Sequence, residues 1–131
     1  MIFADTFYFL ALLSREDAAH SKARDVSERL TNPIITTAWV LTEVADALAA
    51  PNLGHIFLRL METLRADPNA TIVAPSQTLF DQGLKLYADR PDQGWTLTDC
   101  TSFVVMQQQG ITQALTGDRH FEQAGFRALL R

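Results

Sequence analysis

Four short apolar runs mark out the chain: IFA (2–4), IITT (34–37), ATIVA (70–74) and QALT (113–116). Their length and content suit strands better than helices. Longer segments of helical character lie between them. TFYFLALLS opens a helix at residue 6, and EDAAHSKARDVSERL (16–30) continues as a second amphipathic one. AWVLTEVADALAA (38–50) is helical up to Pro51, and HIFLRLMETLRA (55–66) is amphipathic. SQTLFDQGLKLYAD (76–89) carries Ser76 as its N-cap, and TLTDCTSFVVMQQQG (96–110) closes at Gly110. RPDQGW (90–95) reads as a loop and FRALL (126–130) as an edge strand. Such alternation predicts a mostly parallel five-stranded sheet with helices on both faces. In such sheets ligands bind outside the carboxyl ends of the strands, where the strand order reverses.

A length of 131 residues predicts one domain spanning 1–131. With 47% hydrophobic residues the chain can fill a core, and a formal charge of −4 argues against holding nucleic acid by bulk positive charge. Cys100 is the only cysteine, so no intrachain disulfide forms. The apolar N-terminus carries Asp5 and lacks a positive leader region and a cleavage site, and no apolar run reaches the ~20 residues of a membrane span. The expectation is a soluble cytoplasmic protein.

Four acids stand out. Asp5 lies where a strand meets a helix, Asp99 matches a capping box in TLTD (96–99), and Asp118 precedes the short turn RHFEQA. Helix capping is the ordinary explanation for each alone. Glu43 resists it, because it sits inside a helix that is apolar nearly all round, with no Lys or Arg between Leu30 and Arg59. In a parallel sheet, strand ends and helix starts share one edge, so the four carboxylates are expected to converge. Like charges ~5 Å apart at an effective dielectric of ~20 repel by about 3 kcal/mol per pair. A crowd of this kind calls for a hard divalent cation, Mg²⁺ or Mn²⁺, and points to metal-assisted phosphodiester hydrolysis.

The sequence resembles single-domain PIN proteins over its whole length, and among them the VapC-type toxins of bacterial toxin–antitoxin pairs. The resemblance rests on IFADTFYFLALL, TTAWVLTEVADAL, WTLTDCTSFVVMQQQGI and ALTGDRHFEQAGFRALL. The four acids of that family fall on Asp5, Glu43, Asp99 and Asp118, and none is missing. Thr6 and Thr98 stand where such proteins often carry a hydroxyl that positions water. The resemblance implies a PIN-like three-layer α/β/α sandwich and a Mg²⁺-dependent ribonuclease that leaves 5′-phosphate and 3′-hydroxyl ends. It also implies a homodimer held in check by a cognate antitoxin. TGDRHF then places Asp118 at the rim of the site, with Thr116 ending the strand below it and Arg119 near the RNA phosphates. For His120, packing at a helix start is the favoured reading, and Phe121 reads as core.

Other chemistry finds little support. His20, His55, His120 and Cys100 have no zinc spacing, and neither a P-loop nor a dinucleotide-binding motif is present. His20 and His55 read as helix-surface residues, and DTF after the first strand is not the D-x-D of a haloacid-dehalogenase-like phosphatase. A non-catalytic interaction module whose acids merely cap helices stays open as the alternative. Arg15, Lys22, Arg24 and Arg119 are the candidate cations to meet RNA, the first three being equally explained as a solvated helix face. The apolar TFYFLALL and HIFLRLMETL helices either cover each other or contribute to a dimer.

Overall fold

The computed structural model describes residues 1–131. Strands β1 (Ile2–Ala4), β2 (Ile34–Thr37), β3 (Ala70–Val73), β4 (Gln113–Leu115) and β5 (Arg127–Ala128) form one sheet in the order β3-β2-β1-β4-β5. Every neighbouring pair is parallel. The helices are α1 (Thr6–Leu13), α2 (His20–Arg29), α3 (Ala38–Ala47), α4 (Gly54–Ala66), α5 (Gln77–Asp89), α6 (Leu97–Gln109) and α7 (Arg119–Gln123). Connections from β1 step outward to β2 and β3, whereas the chain returns across the sheet to β4 and steps outward again to β5. Right-handed crossovers put these two sets of helices on opposite faces, giving an α/β sandwich. The strand order reverses between β1 and β4, so the crevice at their carboxyl ends is the switch point of the sheet.

Twenty-five buried apolar residues form one continuous core. Phe103 sits at its aromatic centre, edge-on to Trp95 and to Phe121, with ring centroids 5.0 and 4.9 Å away. Helices α5 and α6 approach closely at Gly83, where an added Cβ would lie 2.5 Å from the Thr101 methyl. Cys100 is fully buried, and burial together with neighbouring Asp99 pushes its thiol up to about 11, so it behaves as a small hydrophobe.

Besides shifts of one or two residues at other ends, three segments differ from the sequence reading. Helix α2 starts at His20 rather than near residue 16, because the Asp17 carboxylate accepts from the Ala19 amide and forms a turn first. Helix α3 stops at Ala47, three residues short of expectation, as Leu48 leaves helical geometry (φ −105°, ψ 20°) with its amide shared between the Val44 and Ala45 carbonyls. Within residues 90–95, Pro91–Gln93 make a short 3₁₀ turn, and Gly94 follows in left-handed geometry with φ 68°. His20 is not a plain surface residue either: its ring Nδ1 lies 2.8 Å from the Ala11 carbonyl and ties α2 to α1. Ser76 and Gly110 cap α5 and α6 as expected.

The apolar helices do not cover each other. Helix α1 packs on α2 and α3, and α4 packs on β3 and α3. On the outer surface Leu58 is 63% exposed, while Phe80, Leu84 and Tyr87 form an exposed stripe one helical turn apart along α5.

Candidate active site

Asp5 directly follows β1 and stands at the N-cap position of α1, yet its side chain makes no capping hydrogen bond. Its Oδ2 instead accepts from the Thr116 hydroxyl at 2.9 Å. Thr116 directly follows β4, which ends one residue earlier than the sequence reading placed it, so this bond crosses the switch point between the ends of the two central strands. The same Thr116 oxygen accepts from the Asp118 amide at 3.0 Å, which bends the chain after β4 and brings the Asp118 carboxylate over the crevice. Gly117 makes the bend possible, since a Cβ there would lie 2.4 Å from the ring of Phe7.

Asp99 arrives on the first turn of α6. Its Oδ2 accepts from the Thr96 amide at 3.0 Å, and the Thr96 hydroxyl accepts from the Asp99 amide at 3.0 Å, a complete capping box. Asp118 caps α7 by accepting from the His120 amide at 2.9 Å. The ordinary explanation therefore holds for both residues, and both carboxylates still meet: one ligand atom each from Asp99, Asp118 and His120 lie within 4.8 Å of one another. The His120 ring Nδ1 sits 2.9 Å from Asp99 Oδ2 and 3.4 Å from Asp118 Oδ1. Packing alone does not describe His120; it sits inside the acidic cluster. No helical period or short spacing reveals this, because its partner is 21 residues away.

Glu43 enters from α3. That helix is not apolar all round, since Thr42, Asp46 and Ala47 are exposed, and Glu43 is half-buried rather than enclosed. It is also not without a partner: the Thr6 hydroxyl donates to its Oε1 at 2.5 Å. Thr6 adjoins Asp5, so this bond ties Glu43 to the head of α1, while the close cluster itself consists of Asp99, Asp118 and His120. Thr98 uses its carbonyl to accept from Thr101 and Ser102, and its hydroxyl makes no hydrogen bond. Arg119 is exposed at the rim and free of ion pairs. Two of the expected RNA-facing cations are engaged elsewhere: Arg24 pairs with Glu28, and Lys22 donates to the Arg131 carbonyl. Arg15 lies beyond the far end of α1 from Asp5, ~13 Å along the helix axis.

Burial pushes the Asp5 carboxyl up to about 7; the Thr116 hydrogen bond opposes this, and the nearby charges of Asp99 and Asp118 reinforce it. Asp99 is raised as well, mainly by burial and also by Asp118, against the hydrogen bonds from Thr96 and His120. A donor set of this kind fits a divalent cation. It consists of carboxylate oxygens that repel one another at neutral pH, and Asp99 Oδ1 and Asp118 Oδ2 accept no hydrogen bond. Asp5 and Asp99 form a buried floor, while the Asp118 and His120 side chains are 33% and 26% exposed and leave the site open on that side. The largest concavity of the protein, about 680 Å³, lies elsewhere, beside Leu84, Tyr87 and Trp95.

The 23S rRNA-specific endonuclease VapC20 of Mycobacterium tuberculosis, from strains CDC 1551 and H37Rv, is 28% identical to the chain over 126 residues. The match covers 96% of this chain and 95% of that relative. The crystal structure of VapC20, described as a sarcin-ricin loop cleaving toxin, superposes with a TM-score of 0.87 at 25% identity over 96% of both chains. In sequence and in fold the chain is similar to PIN-domain proteins of the VapC type. FitAcB from Neisseria gonorrhoeae shares the fold of this chain at a TM-score of 0.68 and 18% identity, over 98% of this chain and 96% of that one. No protein-family model matches the chain.

Proposed function

We propose that this protein is the ribonuclease toxin of a toxin–antitoxin pair, and that it hydrolyses RNA phosphodiester bonds with Mg²⁺ or Mn²⁺ held by Asp5, Asp99 and Asp118, with Glu43 completing the set through Thr6. A carboxylate-bound divalent ion activates water and neutralises charge on phosphoryl oxygens. The chain's own residues supply the frame: Thr116 orients Asp5, the capping box orients Asp99, and Thr6 orients Glu43. Arg119, exposed and unpaired beside Asp118, is placed to meet a phosphate. The activity in the VapC20 name makes ribosomal RNA the first substrate to test.

Asp5 carries the reading. Asp99 and Asp118 do cap helices, which favours the alternative of an interaction module with structural acids. Asp5 does not cap, and a buried carboxyl pushed up to about 7 has no structural use that a neutral side chain would not serve better. Incubating the full chain with rRNA in Mg²⁺ or Mn²⁺ is expected to give products with 5′-phosphate ends. EDTA and Asp99→Asn are each expected to remove all measurable turnover. Cleavage in EDTA eliminates the metal mechanism; no cleavage of any RNA in either metal favours the interaction module.

The proposed partners are a cognate antitoxin and a second copy of the chain, and the proposed location is the cytoplasm. No helix is long and apolar enough to cross a membrane. The exposed apolar side chains on α4 and α5 support pairing with a second copy. Light scattering at micromolar concentration is expected to return about twice the 14.6 kDa chain mass; a value near the single-chain mass throughout removes the dimer.

A further inference from the structure

His120 touches both Asp99 in the floor and Asp118 at the rim, with different atoms. Its backbone amide donates to Asp118 Oδ1 at 2.9 Å, and its ring Nδ1 lies 2.9 Å from Asp99 Oδ2, positioned to donate to it. Asp99 Oδ2 already accepts from the Thr96 amide, so the ring bond completes the usual two-bond capacity of that oxygen. One oxygen of each acid is thus engaged, and Asp99 Oδ1 and Asp118 Oδ2 are left without hydrogen-bond partners. The ring is held in place from below. The next residue, Phe121, is fully buried and packs edge-on against Phe103, which lies one helical turn after Asp99 on α6. The Phe103–Phe121 contact and the His120–Asp99 bond therefore join the same two helices side by side.

We propose that His120 is a positioning residue that fixes the spacing and orientation of the Asp99 and Asp118 carboxylates, engaging one oxygen of each and leaving the other for the divalent cation. It acts through the two acids and does not itself bind the ion. The inference rests on the metal-dependent reading above. It accounts for a His two residues after Asp118: an N-cap side chain reaches the amide at that position, and the ring it carries then extends to α6. Hydrogen-bonded partners of metal ligands are worth roughly 10- to 100-fold in metal affinity or activity.

The test compares Mn²⁺ binding to the full-length protein, followed by electron paramagnetic resonance without RNA, in wild type, His120→Leu and His120→Asn. Asn keeps an N–H donor near the place of Nδ1, and every variant keeps the backbone bond to Asp118. Wild type and His120→Asn are expected to bind Mn²⁺ with similar affinity, and His120→Leu roughly 10- to 100-fold more weakly. The electron spin echo of bound Mn²⁺ should show no directly coordinated nitrogen. In RNA cleavage, His120→Leu is expected to need more Mg²⁺ for half-maximal rate while recovering much of its rate at saturating Mg²⁺. Melting curves verify that each variant is folded. If wild type binds Mn²⁺ and His120→Leu binds it equally well, or if a coordinated nitrogen is seen, the positioning role is overturned and the metal site stands. If wild type binds no Mn²⁺, the metal reading fails and this inference falls with it.

Discussion

Asp5→Asn is expected to abolish RNA cleavage and, in metal-free buffer at pH 8, to melt at a higher temperature than wild type. Burial and the charges of Asp99 and Asp118 push the Asp5 carboxyl from an ordinary 3.8 up to about 7. The folded state then binds a proton more tightly than the unfolded chain, so the stability that this proton contributes falls as pH rises from about 4 to about 7 and is gone above that. The gap corresponds to roughly 4 kcal/mol. Asn is neutral throughout and still offers an oxygen to Thr116, so its profile should be flatter across this window. Recovering even one to two of those kcal/mol raises Tm by roughly 5 °C. Saturating Mg²⁺ should stabilise wild type and erase much of the difference. Calorimetry from pH 4 to 8 checks all of this; an Asp5→Asn variant that melts below metal-free wild type at pH 8 contradicts it.

Phe103→Ala is expected to have the largest effect on the fold. The ring is fully buried and touches Trp95, Phe121 and Phe126. Truncating a buried Phe costs about 3–5 kcal/mol. Domains of this size hold only about 5–15 kcal/mol in total. Tm should fall by roughly 10–20 °C. Phe103→Leu, which fills most of the space, should lose much less. A fall of under ~3 °C for the alanine variant would mean that the aromatic cluster repacks around the gap.

The architecture was readable because strand and helix patterns alternate with short connections, and parallel pairing follows from that alternation alone. Asp5, Asp99 and Asp118 were readable as a group because strand ends and helix starts share one edge. What stayed hidden depends on contacts remote in sequence. The His120–Asp99 contact joins residues 21 apart, and the Glu43–Thr6 bond joins residues 37 apart. Residue type could not separate capping from ligation at Asp99, since the same Oδ2 caps α6 and meets His120. The late start of α2 followed from the Asp17 turn, a local competition that helical periodicity does not register.

The proposed nuclease chemistry requires that these acids hold the ion used in catalysis. Crystals of the active chain soaked in Mn²⁺ and measured at the manganese absorption edge test it directly. An anomalous peak is expected roughly 2.0–2.4 Å from carboxylate oxygens of Asp5, Asp99 and Asp118, at the carboxyl ends of β1 and β4. The peak should be lost in Asp5→Asn together with cleavage. A peak elsewhere, or none in protein that cleaves RNA under the same conditions, contradicts the proposed metal site.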